Sequence, residues 1–335
     1  TRAALDAGIN LIETAKGYGR SEACYGAVLA EELADCRGRW WLMTKGNAGT
    51  AREMREMVEG QLRRLRVDRI DFYAWHGINT PELCERALAS GGPVEELLRL
   101  RDQGRIGHVG FSTHGPTPVI CRAIESGRFS FVNLHYYYFM QRNAPAVALA
   151  WACDLGVFII SPNDKGGHLY APPPLLRDLC APATPIQFNA RWCLQTPQVH
   201  TLTFGMTETS HIDEMRGICP AGVPLSRADR EALLRLDARL LHDPVSAYDG
   251  HEFAGDPSGI NIPDVLRLRR LWTCYDMLGF ARWRYNMFEE KGHWFPGAYA
   301  TPERVARVEA HRAPPGIDLR ALLTEAHAAL YQPKA

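Results

Sequence analysis

The chain has 335 residues, with 38 basic and 38 acidic side chains and therefore no formal net charge. This length fits one β/α barrel of roughly 250 residues with an appendage better than two equal domains. No basic block stands out and no apolar run approaches the roughly 20 residues of a membrane span, so we expect neither nucleic-acid nor membrane partners. The nine cysteines are scattered without a CxxC pair and no signal peptide is visible, which favours a cytoplasmic protein with reduced thiols.

The first three predicted strands each end on a polar residue. Strand-like runs over 9–12, 40–44 and 70–75 lead into Glu13, Lys45 and His76, at intervals of 32 and 31 residues. A strand, a helix and two loops require about that length. Because the carboxyl ends of the strands of a β/α barrel converge on one pocket, we expect these three side chains to meet there as a catalytic set.

Strands continue to alternate with helices through the first two thirds of the chain. We predict a helix over 21–33 with Ser21 as its N-cap, and further helices over about 51–66, 93–103, 116–126, 144–154 and 184–195 and from about Thr209. The remaining strands are predicted over 106–112, 130–135, 157–161 and 200–204. Seven strand–helix alternations without a hairpin signal predict an α/β fold with a parallel sheet closed as a (β/α)8 TIM-type barrel. The chain opens inside a helical pattern that Gly8 closes, so we expect the first barrel strand to precede Thr1.

The pattern changes near residue 219 to helices and proline-containing loops. We therefore divide the chain into a barrel over 1–218 and a helical C-terminal extension over 219–335. Helices are predicted over 227–241, 263–280, 302–311 and 318–330. The extension is too aromatic to be disordered. We expect its apolar face, with Leu266, Leu271, Trp272, Tyr275 and Leu278, to pack on the barrel or to form a surface for a protein partner.

The loop after the first strand carries a recognisable motif. Residues 13–22, Glu-Thr-Ala-Lys-Gly-Tyr-Gly-Arg-Ser-Glu, resemble the aldo-keto reductase signature Asp-Thr-Ala-x-x-Tyr-Gly-x-Ser-Glu. The resemblance continues in order through 44–45, 71–76, 110–114, 131–136, 159–162 and 205–214. It implies a (β/α)8 barrel that reduces a small-molecule carbonyl, an aldehyde or ketone, with NADPH or NADH.

The same resemblance implies roles for four residues. Tyr18 corresponds to the general acid, Lys45 to the residue that activates it, and His76 to the residue that orients the carbonyl. A phenol is a poor acid at neutral pH, and a nearby ammonium favours its phenolate. Glu13 stands where the family has Asp, with one more methylene between backbone and carboxylate.

The resemblance also implies a cofactor site. Ser112, Thr113 and Asn133 correspond to positions that hold the nicotinamide amide. Ser161 and the loop 163–167, including Asp164, Lys165 and Gly166, correspond to the pyrophosphate site, and Gly205 and Glu214 to the adenosine end. No Lys or Arg occurs over 205–215. Because a 2′-phosphate favours an arginine fork, the choice between NADPH and NADH stays open.

The extension resembles a cluster-binding module without its ligands. Residues 257–263 and 313–319 are similar to segments that follow the cysteine motifs of bacterial aldo-keto reductases with a ferredoxin-like extension. Iron–sulfur clusters are held by thiolates, and residues 243–256 and 300–313 contain no cysteine. We therefore expect neither a metal site nor an iron–sulfur cluster.

Two other hypotheses remain. The Glu13 replacement and the missing 2′-phosphate base are also typical of a catalytically impaired barrel that serves as a binding or regulatory subunit. The aromatic extension could instead dock a partner protein. The sequence does not identify the substrate, because the loops that face it vary freely on this fold.

Overall fold

A computed structural model describes residues 1–163, 165, 167–218, 225–248, 253, 255–289 and 297–333. Seven strands pair in parallel in chain order, each with its sequence neighbour, so the predicted α/β barrel architecture is confirmed for seven strands. The sheet is nearly closed. Its strands are β1 (Leu11–Glu13), β2 (Trp41–Gly46), β3 (Ile70–His76), β4 (Ile106–Ser112), β5 (Phe131–Leu134), β6 (Gly156–Ile160) and β7 (Thr201–Thr203).

Helices surround the strands and form most of the C-terminal third. They are α1 (Arg2–Asp6), α2 (Ser21–Glu31), α3 (Ala51–Leu65), α4 (Pro81–Leu88), α5 (Pro93–Asp102), α6 (Thr117–Glu125), α7 (Ala144–Ala152), α8 (Pro174–Cys180), α9 (Pro185–Leu194), α10 (Ser210–Arg216), α11 (Arg227–Leu240), α12 (Ile262–Tyr275), α13 (Leu278–Tyr285), α14 (Pro302–Val305) and α15 (Leu319–Leu330). Short 3₁₀ turns cover Ala34–Arg39 and Ala310–Arg312. None of the described helices has the length and hydropathy that a membrane crossing needs.

Several predicted helix details were wrong. Ser21 is the first residue of α2 rather than its cap, and its hydroxyl bonds the Thr14 hydroxyl at 2.8 Å instead. The helix predicted over 263–280 is two helices, because Asp276 adopts a left-handed conformation with φ 58° and ends α12. The short helices α4 and α8 were missed, since each begins at a proline that also suits a loop.

The centre of the barrel is filled with apolar side chains. Met43, Ala74, Phe131 and Phe158 form a buried cluster there. Gly110 makes room for it, since a Cβ at this position would lie 2.5 Å from the Phe131 ring. Because side chains alternate along a strand, residues two positions further on point into the barrel at its carboxyl end.

Contacts divide the chain into two compact units. The first comprises Thr1–Tyr136, Asn143–Pro162 and Thr196–Cys219, and contains all seven strands. The second comprises Tyr137–Arg142, Asn163–Gln195 and Pro220–Ala335. The division predicted between residues 218 and 219 stays a prediction, and residues 219–224 lie outside the described part of the chain.

The second unit has an aromatic and arginine-rich interior of its own. The Tyr138 ring packs edge-on against Phe188 and Tyr275, with ring centroids 5.4 and 6.3 Å away. The Arg267 guanidinium is buried and donates to the carbonyls of Phe139 and Lys165 at 3.0 and 2.9 Å. Helix α12 therefore buries Leu266, Leu271 and Tyr275 and also holds two loop segments of this unit.

Candidate active site

Lys45 and Glu13 form an ion pair at the carboxyl ends of β2 and β1. The Lys45 ammonium donates a hydrogen bond to Glu13 Oε1, and the two side chains are 1% and 13% exposed. The ends of the strands are held in register, since the Thr14 amide donates to the Met43 carbonyl and the Lys16 amide to the Lys45 carbonyl. The extra methylene of Glu13, compared with Asp, therefore still allows the carboxylate to reach Lys45.

The charge of Lys45 depends on its neighbours. Burial by itself lowers the pKa of this ammonium, but the interactions with Glu13 and Tyr18 outweigh burial and raise the pKa above its ordinary value. The Lys45 side chain therefore stays cationic at neutral and mildly alkaline pH. The Glu13 charge also acts on Tyr25, whose pKa is raised by burial and by this carboxylate.

Tyr18 and His76 lie next to this ion pair. The Lys45 Nζ atom is 5.4 Å from the centroid of the Tyr18 ring, and the His76 ring meets the Tyr18 ring edge-on with centroids 6.0 Å apart. Tyr18 is 49% exposed, so solutes can reach its phenol. Gly19 follows with φ 57°, a left-handed conformation that glycine adopts without strain, and turns the chain into α2. The structure thus brings together four residues that the sequence predicted as a set.

Ser112 and Asn133 extend the polar rim that Glu13, Lys45 and His76 form at the carboxyl ends of the strands. Strand pairing sets His76 beside Ser112 and Ser112 beside Asn133, so the three residues lie on one face of adjacent strands. Both Ser112 Oγ and Asn133 Oδ1 are buried and have no hydrogen-bond partner among the described residues. Buried polar atoms without partners are rare in proteins, and a carboxamide group could bond both of these.

The Thr113 side chain is already engaged. Its hydroxyl donates to the Ile78 carbonyl at 2.6 Å and accepts from the Gly115 amide at 2.9 Å. The backbone amide of Thr113 donates to the Asn133 carbonyl at 3.0 Å. Thr113 therefore shapes the loop after β4 and links it to β5.

The other predicted cofactor residues are more scattered. Ser161 follows β6 with φ 38°, an uncommon conformation for a residue other than glycine. Lys165 belongs to the second unit, where its carbonyl accepts from Arg267, while Asp164 and Gly166 lie outside the described residues. Gly205 follows β7 in an exposed segment, and Glu214 lies in α10. No group of three or more His, Cys, Asp or Glu in the described part of the chain could hold a metal ion.

Sequence reasoning missed several polar residues behind and beside this rim. Glu22 and Gln61 are buried beneath β2, and the Asn47 amide donates to the His76 carbonyl at 3.0 Å. The rings of His114 and His135 meet with Nδ1 and Nε2 2.5 Å apart. Two signals existed: Glu22 is the last residue of the motif over 13–22, and Gln61 is a polar residue on the apolar stripe of α3, next to Leu62.

Comparison with known proteins concerns the sequence and the fold. The model of the aldo/keto reductase family matches residues 1–162. This match covers just under half of the chain, so residues 1–162 are similar to the aldo/keto reductase family. A 6-dehydroglucose reductase of Novosphingobium aromaticivorans is 40% identical over 89 residues, a match that covers 22% of this chain and 29% of the length of that protein.

Solved structures share the fold. The holo form of an aldo-keto reductase from Bacillus halodurans superimposes with a TM-score of 0.60 at 21% identity, covering 70% of this chain and 84% of the other. An aldo-keto reductase from Klebsiella pneumoniae in complex with NADPH gives a TM-score of 0.56 at 21% identity, covering 70% and 82%. At this level of identity the similarity supports the barrel fold.

Proposed function

We propose that this protein reduces a small-molecule aldehyde or ketone with a nicotinamide cofactor, with Tyr18 as the general acid. The observation that carries the proposal is the buried Lys45 ammonium, which contacts the Glu13 carboxylate and lies beside the Tyr18 ring. A buried, charged lysine next to an accessible phenol is an arrangement suited to proton transfer. The similarity of residues 1–162 to the aldo/keto reductase family supports the same class of reaction.

In this proposal, each of the four residues has one task. Tyr18 donates its proton to the carbonyl oxygen, and the Lys45 ammonium stabilises the phenolate that remains. Glu13 holds the ammonium in place and offsets its charge. His76, whose ring lies against Tyr18, donates a hydrogen bond to the same carbonyl oxygen and thereby orients the substrate.

The residues of the strand ends fit a nicotinamide group. Ser112 Oγ and Asn133 Oδ1 would bond its carboxamide, which satisfies two buried atoms that otherwise have no partner among the described residues. When bound, a reduced nicotinamide supplies the hydride that adds to the carbonyl carbon. The carbonyl thus gains a hydride at carbon and the Tyr18 proton at oxygen, which gives the alcohol.

The further cofactor contacts are part of the proposal. Ser161 would contact the pyrophosphate, and Gly205 and Glu214 the adenosine. Between Gly205 and Met215 there is no Lys or Arg for a 2′-phosphate, so both NADPH and NADH belong in the test.

Two measurements test the proposal. Quenching of tryptophan fluorescence by NADPH and by NADH, in separate titrations, measures binding. Loss of absorbance of the reduced cofactor with a panel of aldehydes and ketones then measures turnover. We expect saturable binding of at least one cofactor and turnover that depends on the carbonyl compound. Binding without turnover across the panel would favour the binding or regulatory subunit, and no binding of either cofactor would exclude the reductase.

A further inference from the structure

A buried polar network lies on the helix side of β2, directly behind Lys45. Its centre is the carboxylate of Glu22, which is 3% exposed. This carboxylate accepts from the Thr44 hydroxyl at 2.8 Å, from Gln61 Nε2 at 2.5 Å and from the Arg64 guanidinium at 2.8 Å. A buried carboxylate is costly unless it is paired and hydrogen-bonded, and these donors meet that condition.

The amide of Gln61 connects this network to Lys45. The Tyr73 hydroxyl donates to Gln61 Oε1 at 2.7 Å, which leaves the amide nitrogen facing Glu22 and β2. Gln61 Nε2 then donates to the Lys45 carbonyl at 3.2 Å. The same carbonyl accepts from the Lys16 amide at 2.8 Å, so the Lys45 peptide is held both from α3 and from the chain that follows β1.

Gly46, the residue after Lys45, lies close to the same network. A Cβ at Gly46 would lie 2.4 Å from Met57 Sδ and 2.7 Å from the Tyr73 hydroxyl. The backbone of β2 therefore runs in direct contact with the side chains that orient Gln61. Gln61 itself lies close by, with its Oε1 3.5 Å from where a Cβ at Gly46 would be.

We propose that Gln61 is a positioning residue for Lys45. Its bond to the Lys45 carbonyl, braced by Glu22 and Tyr73, fixes the backbone from which the ammonium reaches Glu13. A lysine side chain is long and flexible, so the position of its ammonium depends on a fixed backbone and a tight fit. The effect on catalysis rests on the proposed reductase function, whereas the effect on the burial of Lys45 does not.

The experiment compares Gln61→Met with Val58→Ala. Gln61→Met keeps the volume of the side chain and removes its hydrogen bonds. Val58 is also buried on α3, so Val58→Ala loosens the packing of the same helix but removes no hydrogen bond to Lys45. Tyr73→Phe is a milder variant that removes only the bond orienting the amide, and it serves if Gln61→Met does not fold.

The first readout is acylation of Lys45 by an amine-selective reagent, followed by peptide mass spectrometry of the full chain without cofactor. In the wild type, Lys45 is 1% exposed and should react slowly. We expect Gln61→Met to raise its rate about fivefold, as for one lost hydrogen bond, Tyr73→Phe to raise it less, and Val58→Ala to leave it unchanged. Wild-type rates in both Gln61→Met and Tyr73→Phe, or an equal rise in Val58→Ala, would overturn the proposal.

The second readout is turnover, measured with the cofactor that the wild type uses. Misplacement of a catalytic group by about 1 Å can cost on the order of 10²-fold in rate. We expect Gln61→Met to lower kcat with little change in cofactor KM, and Val58→Ala to keep both. An unchanged kcat in Gln61→Met would contradict the positioning role. If the wild type shows no turnover, the reductase function fails, while the acylation result still decides the role of Gln61.

Discussion

Lys45 contacts the carboxylate of Glu13 although the two residues are 32 positions apart in the chain. Parallel pairing of β1 and β2 brings the strand ends together, and the pair leaves Lys45 almost completely buried. Glutamate thus serves here where the family signature has aspartate. The ion pair links the fold to the proposed chemistry, because the phenol of Tyr18 lies beside the same ammonium.

Tyr18→Phe should abolish carbonyl reduction. The variant removes only the acidic hydroxyl, and loss of a general acid typically costs about 10²–10⁴-fold in rate. Cofactor affinity, measured by fluorescence quenching, should stay close to that of the wild type. Tyr331→Phe is a control, since Tyr331 is another exposed tyrosine. Wild-type turnover in Tyr18→Phe would exclude Tyr18 as the acid.

Substitutions of Lys45 and of Glu13 should have different effects on turnover. Lys45→Met leaves the Glu13 carboxylate without its ammonium and should abolish turnover. Glu13→Asp restores the carboxylate of the family signature and should retain or raise kcat. Both are measured by steady-state kinetics, with circular dichroism as the check on folding. An inactive but folded Glu13→Asp protein would show that Glu13 has a different role.

Ser112→Ala should weaken cofactor binding without weakening the fold. The Ser112 hydroxyl oxygen is buried and has no partner among the described residues, so its removal should leave thermal stability unchanged or slightly higher. Cofactor affinity should fall by about fivefold, the effect of one hydrogen bond. Ser126→Ala, at the end of α6, is the control and should keep wild-type affinity. A clear loss of stability together with unchanged affinity would argue against a contact with the cofactor.

Gly110→Ala should destabilise the barrel. The added Cβ would meet the ring of Phe131 at 2.5 Å inside the apolar core, and overpacking of this kind costs about 1–3 kcal/mol. Urea denaturation measures the change in the free energy of unfolding. Gly38→Ala is a matched control, because a Cβ there has no atom within 4 Å. Equal stabilities of the two variants would mean that the core around Phe131 rearranges to accommodate the added Cβ.

His327 should make stability depend on pH. Burial lowers the pKa of this imidazole, against an opposing effect of Glu303, and its Nδ1 lies 2.6 Å from the Tyr285 hydroxyl. Since its pKa in the folded state lies below that of the unfolded chain, about 6.5, its contribution is complete above that pH and is lost as the pH falls. When the pH is lowered from about 7.5 to 5.5, the melting temperature of His327→Gln should therefore fall less than that of the wild type. Equal losses would show that His327 is not the group that titrates.

The sequence alone determined the strands and the core of the candidate site. Strand-like runs with a period of about 30 residues predicted the parallel sheet, and their last residues predicted that Glu13, Lys45 and His76 would meet. These features are local, because each depends on where a strand ends and on the rule that parallel strands share a carboxyl edge.

Only the tertiary structure decided which polar groups support that site and which lack partners. Glu22 and Gln61 are 39 positions apart and meet because α2 and α3 pack on the same side of β2. The Ser112 and Asn133 oxygens that lack a partner in the described part of the chain likewise follow from packing, as does the grouping of residues 163–195 with the C-terminal helices. Such pairings depend on the three-dimensional distance between side chains, and hydrophobic periodicity carries no information about that distance.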